Sequence, residues 1–97
     1  MDKQWTVYIL ECGDGTLYTG ITDDLPKRLK AHAEGKGAKY TRGRGPLKLR
    51  YREVVPDKSG ALKREYALKR LRKTEKMAII HENESEILEW LAIMEQK

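Results

Sequence analysis

The sequence predicts a small fold of the α/β (α+β) class, in which a three-stranded, mainly antiparallel sheet is flanked by helices. Residues 5–10 and 16–21 are rich in β-branched and aromatic side chains, and the Gly-Asp-Gly sequence between them is typical of a β-hairpin turn. Residues 47–52 alternate apolar and basic side chains with the period of a strand. Helix caps and helical apolar spacings occupy the other stretches. We therefore expect a single domain over residues 1–97.

The length of the hairpin loop decides which side chains share a face of the sheet. A three-residue loop places Tyr8 opposite Gly20 and Leu10 opposite Tyr18, which makes the two tyrosines diagonal neighbours on one face. A two-residue loop places the tyrosines on opposite faces. Both registers are compatible with the sequence.

A helix is predicted directly after the hairpin. Asp23 or Asp24 provides its N-terminal cap, and Pro26 suits its first turn. Arg28 and His32 are four residues apart, so they project from the same side of this helix.

The segment that follows combines a glycine-rich basic loop with the third strand. Residues 34–46 are predicted to be a loop that has room for one helical turn. In the strand, an apolar set alternates with a basic set: Leu47, Leu49 and Tyr51, and Lys48, Arg50 and Arg52. This alternation predicts a strand with one buried and one strongly basic side.

A second helix is predicted over residues 61–73. Pro56 ends the preceding strand, and Asp57 or Ser59 is available to cap the helix. Glu65 falls midway between two leucines, which places this carboxylate at the margin of the apolar face.

The last predicted helix covers residues 82–94 and packs across the sheet. Asn83 and Glu86 have the spacing of a capping box at its start. Apolar side chains at helical spacing give this segment one face that can be buried.

The net charge of +5 is distributed unevenly along the chain. Residues 27–52 and 63–76 are strongly basic, whereas the stretch from residue 82 onward is acidic. A positive face for a polyanion is one interpretation, and a solvated surface rich in lysine is the other. The single cysteine, Cys12, excludes an internal disulfide, and no apolar run is long enough for a signal peptide or membrane span. We expect a cytoplasmic protein.

A tyrosine-containing triplet stands in each strand of the predicted hairpin: Val7-Tyr8-Ile9 and Tyr18-Thr19-Gly20. Arg28 and His32 follow on the first helix, and Glu65 follows on the second. This order and spacing resemble the GIY-YIG nuclease family, from the first strand through the helix that carries Glu65. The size and layout are similar to small stand-alone bacterial members, which resemble the nuclease domain of structure-selective branched-DNA endonucleases.

The resemblance implies a catalytic group made of Tyr8, Tyr18, Arg28, His32 and Glu65. Tyr18 would take the proton of the attacking water, with Tyr8 beside it to share or position that water. Arg28 would clamp the phosphate through its planar fork of donors. His32 would hydrogen-bond the phosphate or orient the tyrosines.

The resemblance also implies that Glu65 is the sole protein carboxylate ligand of a Mg²⁺ or Mn²⁺ ion. Its spacing alone indicates a helix ion pair with Lys69 instead. Many family members carry an asparagine further along the chain, where residues 77–80 here read Met-Ala-Ile-Ile. That departure leaves room for a weakened or altered nuclease.

A second set of residues is expected to contact the substrate: Gly20, Lys39, Tyr40, Arg42, Arg44, Lys48 and Arg50. The predicted function is a divalent-metal-dependent DNA endonuclease that acts on structured or damaged DNA in repair or recombination. DNA is the expected partner, together with a protein that supplies targeting; no membrane and no small-molecule cofactor are expected. The alternative is a non-catalytic nucleic-acid-binding or repair-complex module that keeps the nuclease fold.

Overall fold

The computed structural model of the protein describes residues 3–38 and 41–95. The strands are β1 (Trp5–Glu11), β2 (Leu17–Thr22) and β3 (Lys48–Val55), and the helices are α1 (Leu25–Ala33), α2 (Lys58–Lys69), α3 (Lys73–Glu82) and α4 (Glu84–Glu95). The strands form one antiparallel sheet in the order β2-β1-β3. This architecture confirms the predicted α+β fold with a three-stranded sheet flanked by helices.

The hairpin adopts the three-residue loop. The backbone N–H of Cys12 donates to the carbonyl of Thr16 at 2.8 Å, which leaves residues 13–15 as the loop. The register pairs Tyr8 with Gly20 and Leu10 with Tyr18. Because side chains alternate between the faces of a strand, this register brings both tyrosines to one face.

Helices cover both faces of the sheet and create two separate cores. On the face that we call the α2 face, Val7, Ile9 and Tyr51 pack against α2 and α3. On the opposite face, which we call the α1 face, Tyr8, Leu10 and Leu49 pack against α1 and α4. The sheet is therefore a buried layer between two helical layers, and the tyrosine pair lies under α1.

The predicted division of β3 into one buried and one basic side is wrong. Ile9 pairs with Tyr51, but its neighbour Leu10 pairs with Leu49, so that Arg50 is an extra residue in the ladder. Such a β-bulge resets the alternation by one position. As a result, Leu49 and Tyr51 are buried on opposite faces of the sheet.

The predicted helix over residues 61–73 has the wrong boundaries. Asp57 is the cap, since its side chain accepts a hydrogen bond at 2.7 Å from a backbone N–H in the first turn of α2. α2 ends at Lys69, and α3 was not predicted. α3 begins at Lys73, where the Glu75 side chain caps the new helix by accepting from the backbone N–H of Arg72 at 3.0 Å.

The predicted capping box of the last helix is also wrong. The Asn83 amide donates back to the carbonyl of Ile79 on α3 at 2.8 Å, and Asn83 is the C-cap of α3. Glu86 forms an ion pair with Arg52 of β3 at 2.5 Å instead of turning to the helix start. α4 does pack on the sheet, through the buried side chain of Ile87. Within the described ranges, no helix is both long and apolar enough to cross a membrane.

Candidate active site

Tyr8 and Tyr18 lie side by side on the α1 face. Their ring centroids are 6.3 Å apart with an interplanar angle of 52°. Tyr8 is fully buried in the middle strand, whereas Tyr18 stands on an edge strand and is only half-buried. Tyr18 is therefore the tyrosine that a substrate can reach more easily.

Gly20 leaves the space that the two rings occupy. A Cβ atom at this position would lie 2.7 Å from the Tyr8 hydroxyl oxygen and 2.9 Å from Cε2 of Tyr18. Real side chains do not tolerate such contacts, so any other residue would displace the tyrosines. The space beside Gly20, which was expected to contact substrate, is thus occupied by the two tyrosine rings.

α1 brings a histidine over the tyrosine pair. Its start is fixed by Asp24, whose side chain accepts from the backbone N–H of Lys27 at 3.1 Å. His32 is 4% exposed, and its ring centroid lies 5.9 Å from that of Tyr8 and 5.6 Å from that of Tyr18. The Tyr8 hydroxyl and His32 Nε2 form a hydrogen bond of 3.0 Å.

Arg28 reaches both tyrosine hydroxyls from one turn earlier on α1. The hydrogen bond with Tyr8 raises the pKa of Arg28 further above its usual high value, so this side chain stays charged. Burial raises the pKa of Tyr8, against the opposing effect of its hydrogen bond with Arg28. Burial, followed by the charge of Arg28, lowers the pKa of His32. At neutral pH the site therefore combines a cationic guanidinium with a neutral imidazole and a neutral Tyr8 phenol.

Arg28 has no carboxylate partner among the described residues, in contrast to half of the eight arginines. Four arginines lie within 3.1 Å of a carboxylate oxygen: Arg44 on Asp14, Arg50 on Glu11, Arg52 on Glu86 and Arg64 on Glu53. No ion pair within residues 3–38 and 41–95 includes Arg28, and its buried Nε–H has no acceptor there. A charge held this way without neutralisation is suited to bind an anion.

Glu65 lies on the buried side of α2, between Ala61 and Leu68, rather than at the margin of an apolar face that includes Leu62. Leu62 is instead 47% exposed, whereas the Glu65 side chain is 19% exposed. The Glu65 carboxylate pairs with Lys69 at 3.3 Å, as the spacing alone indicated. It also contributes to the raised pKa of Tyr8, after burial as the main cause, so its charge acts on the tyrosine site.

The donor set suits a hard divalent cation that keeps most of its water ligands. Among the residues that the structure describes, no three His, Cys, Asp or Glu side chains form a metal-binding group. Mg²⁺ needs only one or two carboxylates, and carboxylate oxygens suit Mn²⁺ equally. Glu65 offers one such ligand, so the residues present fit a Mg²⁺ or Mn²⁺ ion.

The described basic residues that were expected to contact substrate are held on other parts of the surface. Arg44 pairs with the hairpin turn through Asp14 at 2.6 Å, and Arg42 is exposed on the loop. Lys48 and Arg50 stand on β3, at the sheet edge opposite β2. The expected contacts of Lys39 and Tyr40 lie outside the described residues.

The sequence did not single out Thr41, a loop residue that contacts the site directly. Its side chain is buried, and its hydroxyl lies 3.0 Å from Nδ1 of His32. A threonine within a glycine-rich loop carries no signal of such a contact, because the loop must fold back over α1 before the two residues meet.

Comparison with known proteins identifies relatives of similar size. The GIY-YIG catalytic domain family matches residues 4–78, so α4 lies beyond the matched region. The UPF0213 protein OB0043 of Oceanobacillus iheyensis is 50% identical over 86 residues, which are 89% of this chain and 100% of that protein. The UPF0213 protein CPE1444 of Clostridium perfringens is 55% identical over 74 residues, or 76% of this chain and 80% of that one.

Two solution NMR structures share the fold. The UPF0213 protein BH0048 from Bacillus halodurans has 49% sequence identity and a TM-score of 0.53, with 80% of this chain and 83% of that chain covered. The protein EF2693 from E. faecalis has 36% identity and a TM-score of 0.56, covering 80% of this chain and 84% of its own.

Proposed function

Because the chain belongs to the GIY-YIG catalytic domain family, we propose that it is a divalent-metal-dependent endonuclease that hydrolyses phosphodiester bonds in DNA. The observation that carries this proposal is the half-buried Arg28 beside two phenols, with no carboxylate partner in the part of the chain that the structure describes. A phosphodiester supplies the missing negative charge, and the planar guanidinium matches two of its oxygens. Charge stabilisation of this kind is a major part of phosphoryl-transfer catalysis.

The two tyrosines take different roles in this proposal. Tyr18, half-buried on the edge strand, orients the attacking water and takes its proton as the phenolate, after its own hydroxyl proton has passed to solvent. Tyr8 is buried and neutral, and it holds Arg28 and His32 in place through its hydroxyl group. His32 is a positioning residue rather than a phosphate ligand, because its ring is enclosed by protein.

Glu65 is the proposed ligand of Mg²⁺ or Mn²⁺. When bound, such an ion neutralises charge on the phosphate and activates a water molecule. The Lys69 side chain that pairs with Glu65 is 54% exposed, so it can turn into solvent when a stronger cation competes.

Structured or damaged DNA is the proposed substrate, in repair or recombination. The resemblance to structure-selective branched-DNA endonucleases supports this choice. The ion pairs of Arg44 and Arg50 reduce the basic surface available for reading bases, which favours a partner protein that supplies targeting. The free cysteine Cys12 suits a reducing compartment such as the cytoplasm.

The experiment is a cleavage assay on matched linear, flap and Holliday-junction DNA and on RNA, with Mg²⁺, with Mn²⁺ or with EDTA. We expect metal-dependent cleavage of branched or flapped DNA. Glu65→Gln should reduce the rate by at least about 100-fold while DNA binding is retained, since the metal ligand is lost and the cationic Arg28 remains.

Glu89→Gln is the matched control, because it makes the same charge change on the exposed side of α4. Its cleavage rate should equal that of the unmutated protein. DNA binding without cleavage of any substrate in either metal would refute the endonuclease and leave a non-catalytic nucleic-acid-binding module.

A further inference from the structure

The hydroxyl group of Thr41 has a single hydrogen atom, and its hydrogen bonds show where that atom lies. The hydroxyl donates to the carbonyl oxygen of Ala38 at 2.8 Å. A carbonyl has no proton to give, so this bond uses the Thr41 hydrogen. Toward Nδ1 of His32, 3.0 Å away, the Thr41 oxygen is then only an acceptor.

The neutral His32 ring must consequently carry its proton on Nδ1. A neutral imidazole has one N–H, and the other ring nitrogen is an acceptor. Burial lowers the pKa of His32, with a further lowering from the charge of Arg28, which keeps the ring neutral. Nε2 is therefore the acceptor in the 3.0 Å hydrogen bond with Tyr8, and the Tyr8 hydroxyl is the donor.

The direction of this hydrogen bond matters for Arg28. When Tyr8 donates to His32, both lone pairs of its hydroxyl oxygen remain available to accept from the guanidinium. In the other tautomer, an N–H on Nε2 would compete for that oxygen and turn the Tyr8 hydrogen toward the positive charge of Arg28. The tautomer of His32 thus affects how firmly Arg28 is held.

The loop backbone packs directly against this nitrogen, since a Cβ atom on Gly37 would lie 2.3 Å from Nδ1 of His32. Thr41 itself is only 3% exposed. Thr41 is therefore the acceptor that the described residues place at Nδ1.

We infer that Thr41 is a positioning residue that fixes the Nδ1–H tautomer of His32, and through Tyr8 holds Arg28 ready for the phosphate. The part of this inference that concerns Arg28 and phosphate rests on the proposed nuclease function. The part that concerns the tautomer rests on the hydrogen bonds and on the burial that keeps the ring neutral. A carboxylate or carbonyl that orients a functional histidine is a common arrangement, and here a threonine oxygen does the same.

The test is nitrogen NMR of the two histidine rings in the ¹⁵N-labelled full chain at neutral pH. In the unmutated protein we expect His32 to show a protonated Nδ1 and an unprotonated Nε2. Thr41→Val keeps the shape of the side chain but removes the acceptor, so it should shift His32 toward the Nε2–H form. Thr41→Ser restores the hydroxyl and should restore the original spectrum. His81, which is exposed on α3, is the internal reference and should not change.

Cleavage rates at saturating enzyme provide the second readout. We expect Thr41→Val to slow cleavage by about 10- to 100-fold, the range seen when the partner that orients a metal-ligating histidine is removed, and Thr41→Ser to recover most of the rate. A merely structural threonine would not give parallel changes in the spectrum and the rate.

Either of two spectra would overturn the inference: an Nε2–H tautomer in the unmutated protein, or an unchanged tautomer in a folded Thr41→Val. The first needs no variant, so it decides the matter even if Thr41→Val fails to fold. A protein with the expected tautomer but no cleavage of any nucleic acid would refute the proposed nuclease and the role of Thr41 in it, and leave Thr41 as the orienting partner of His32.

Discussion

His32 has two strong hydrogen bonds but little access to water. One ring nitrogen lies 3.0 Å from the Tyr8 hydroxyl, and the other lies 3.0 Å from the hydroxyl of Thr41. Protonation would place a second positive charge next to Arg28 and would require Nε2 to become a donor. The native arrangement therefore depends on a neutral imidazole.

This dependence predicts a loss of stability in mild acid. The pKa of His32 is lowered by folding from its ordinary value of 6.5, so the unfolded chain binds a proton more readily. The stabilising effect is complete above pH 6.5 and is lost as the pH falls through 6.5 toward the lower folded value. Urea unfolding of the unmutated protein and of His32→Gln between about pH 7.5 and about pH 5 would measure it.

The unmutated protein should lose more stability than His32→Gln over this pH range. Substitution of His81, the exposed histidine of α3, by glutamine is the matched control. Parallel curves for the unmutated protein and His32→Gln would contradict a buried, neutral imidazole.

The sequence predicted which side chains of the site come together better than it predicted their hydrogen bonds. The spacing of Arg28 and His32 on a helix predicted that they project together, and in the structure both contact Tyr8. The contact between Thr41 and His32 could not be predicted, because a hydrogen bond between a loop and a helix depends on tertiary folding. Such a bond leaves no periodic pattern in the sequence.

At the scale of elements, α4 closes the α1 face although it lies outside the region matched by the family. Trp90 packs against the core of that face, and the Arg52 guanidinium carbon lies 5.3 Å from the centroid of its ring. Arg52 also pairs with Glu86 on the same helix. Since Arg52 is the cross-strand neighbour of Tyr8, α4 is tied to the strand beside the site.

We therefore expect Trp90→Ala to destabilise the protein by about 2 to 3 kcal/mol, somewhat less than a fully buried aromatic would. Ile93→Ala on the same helix should cost less than about 0.5 kcal/mol, because Ile93 is 54% exposed. Urea unfolding midpoints for the two variants provide the comparison. Equal losses would mean that α4 contributes only its helical propensity.

The sequence predicted the number of strands well but not the interruptions of regular structure. The alternating sequence pattern does not reveal the bulge at Arg50. Both faces of the sheet are covered by helices, so Leu49 and Tyr51 are buried although they lie on opposite faces. The break between α2 and α3 depends on a side chain-to-backbone bond from Glu75, in a stretch whose composition favours helix throughout. A prediction from local helix propensity therefore did not separate α2 from α3.

In the whole molecule, the net charge of +5 overstates how much positive charge is free to bind an anion. Four of the eight arginines pair with carboxylates, including Glu11 of β1, Glu53 of β3 and Glu86 of α4. The sequence could not predict these pairs, since each joins residues from different elements. Arg28 is set apart by its neighbours, which are two phenols and an imidazole.

Substitution of Arg28 should consequently separate function from stability. Arg28→Gln removes a charge that has no ion-pair partner in the described residues, so folding should change little, while phosphate stabilisation is lost. Arg70→Gln is the matched control, because Arg70 is exposed at the end of α2 and contacts only Tyr66 among the described residues.

The most direct measurement is the single-turnover rate of flap-DNA cleavage in Mg²⁺ at saturating enzyme. We expect Arg28→Gln to be slower than the unmutated protein by about 100-fold or more and Arg70→Gln to be unchanged. Cleavage by Arg28→Gln at the rate of the unmutated protein would show that Arg28 does not stabilise the reacting phosphate.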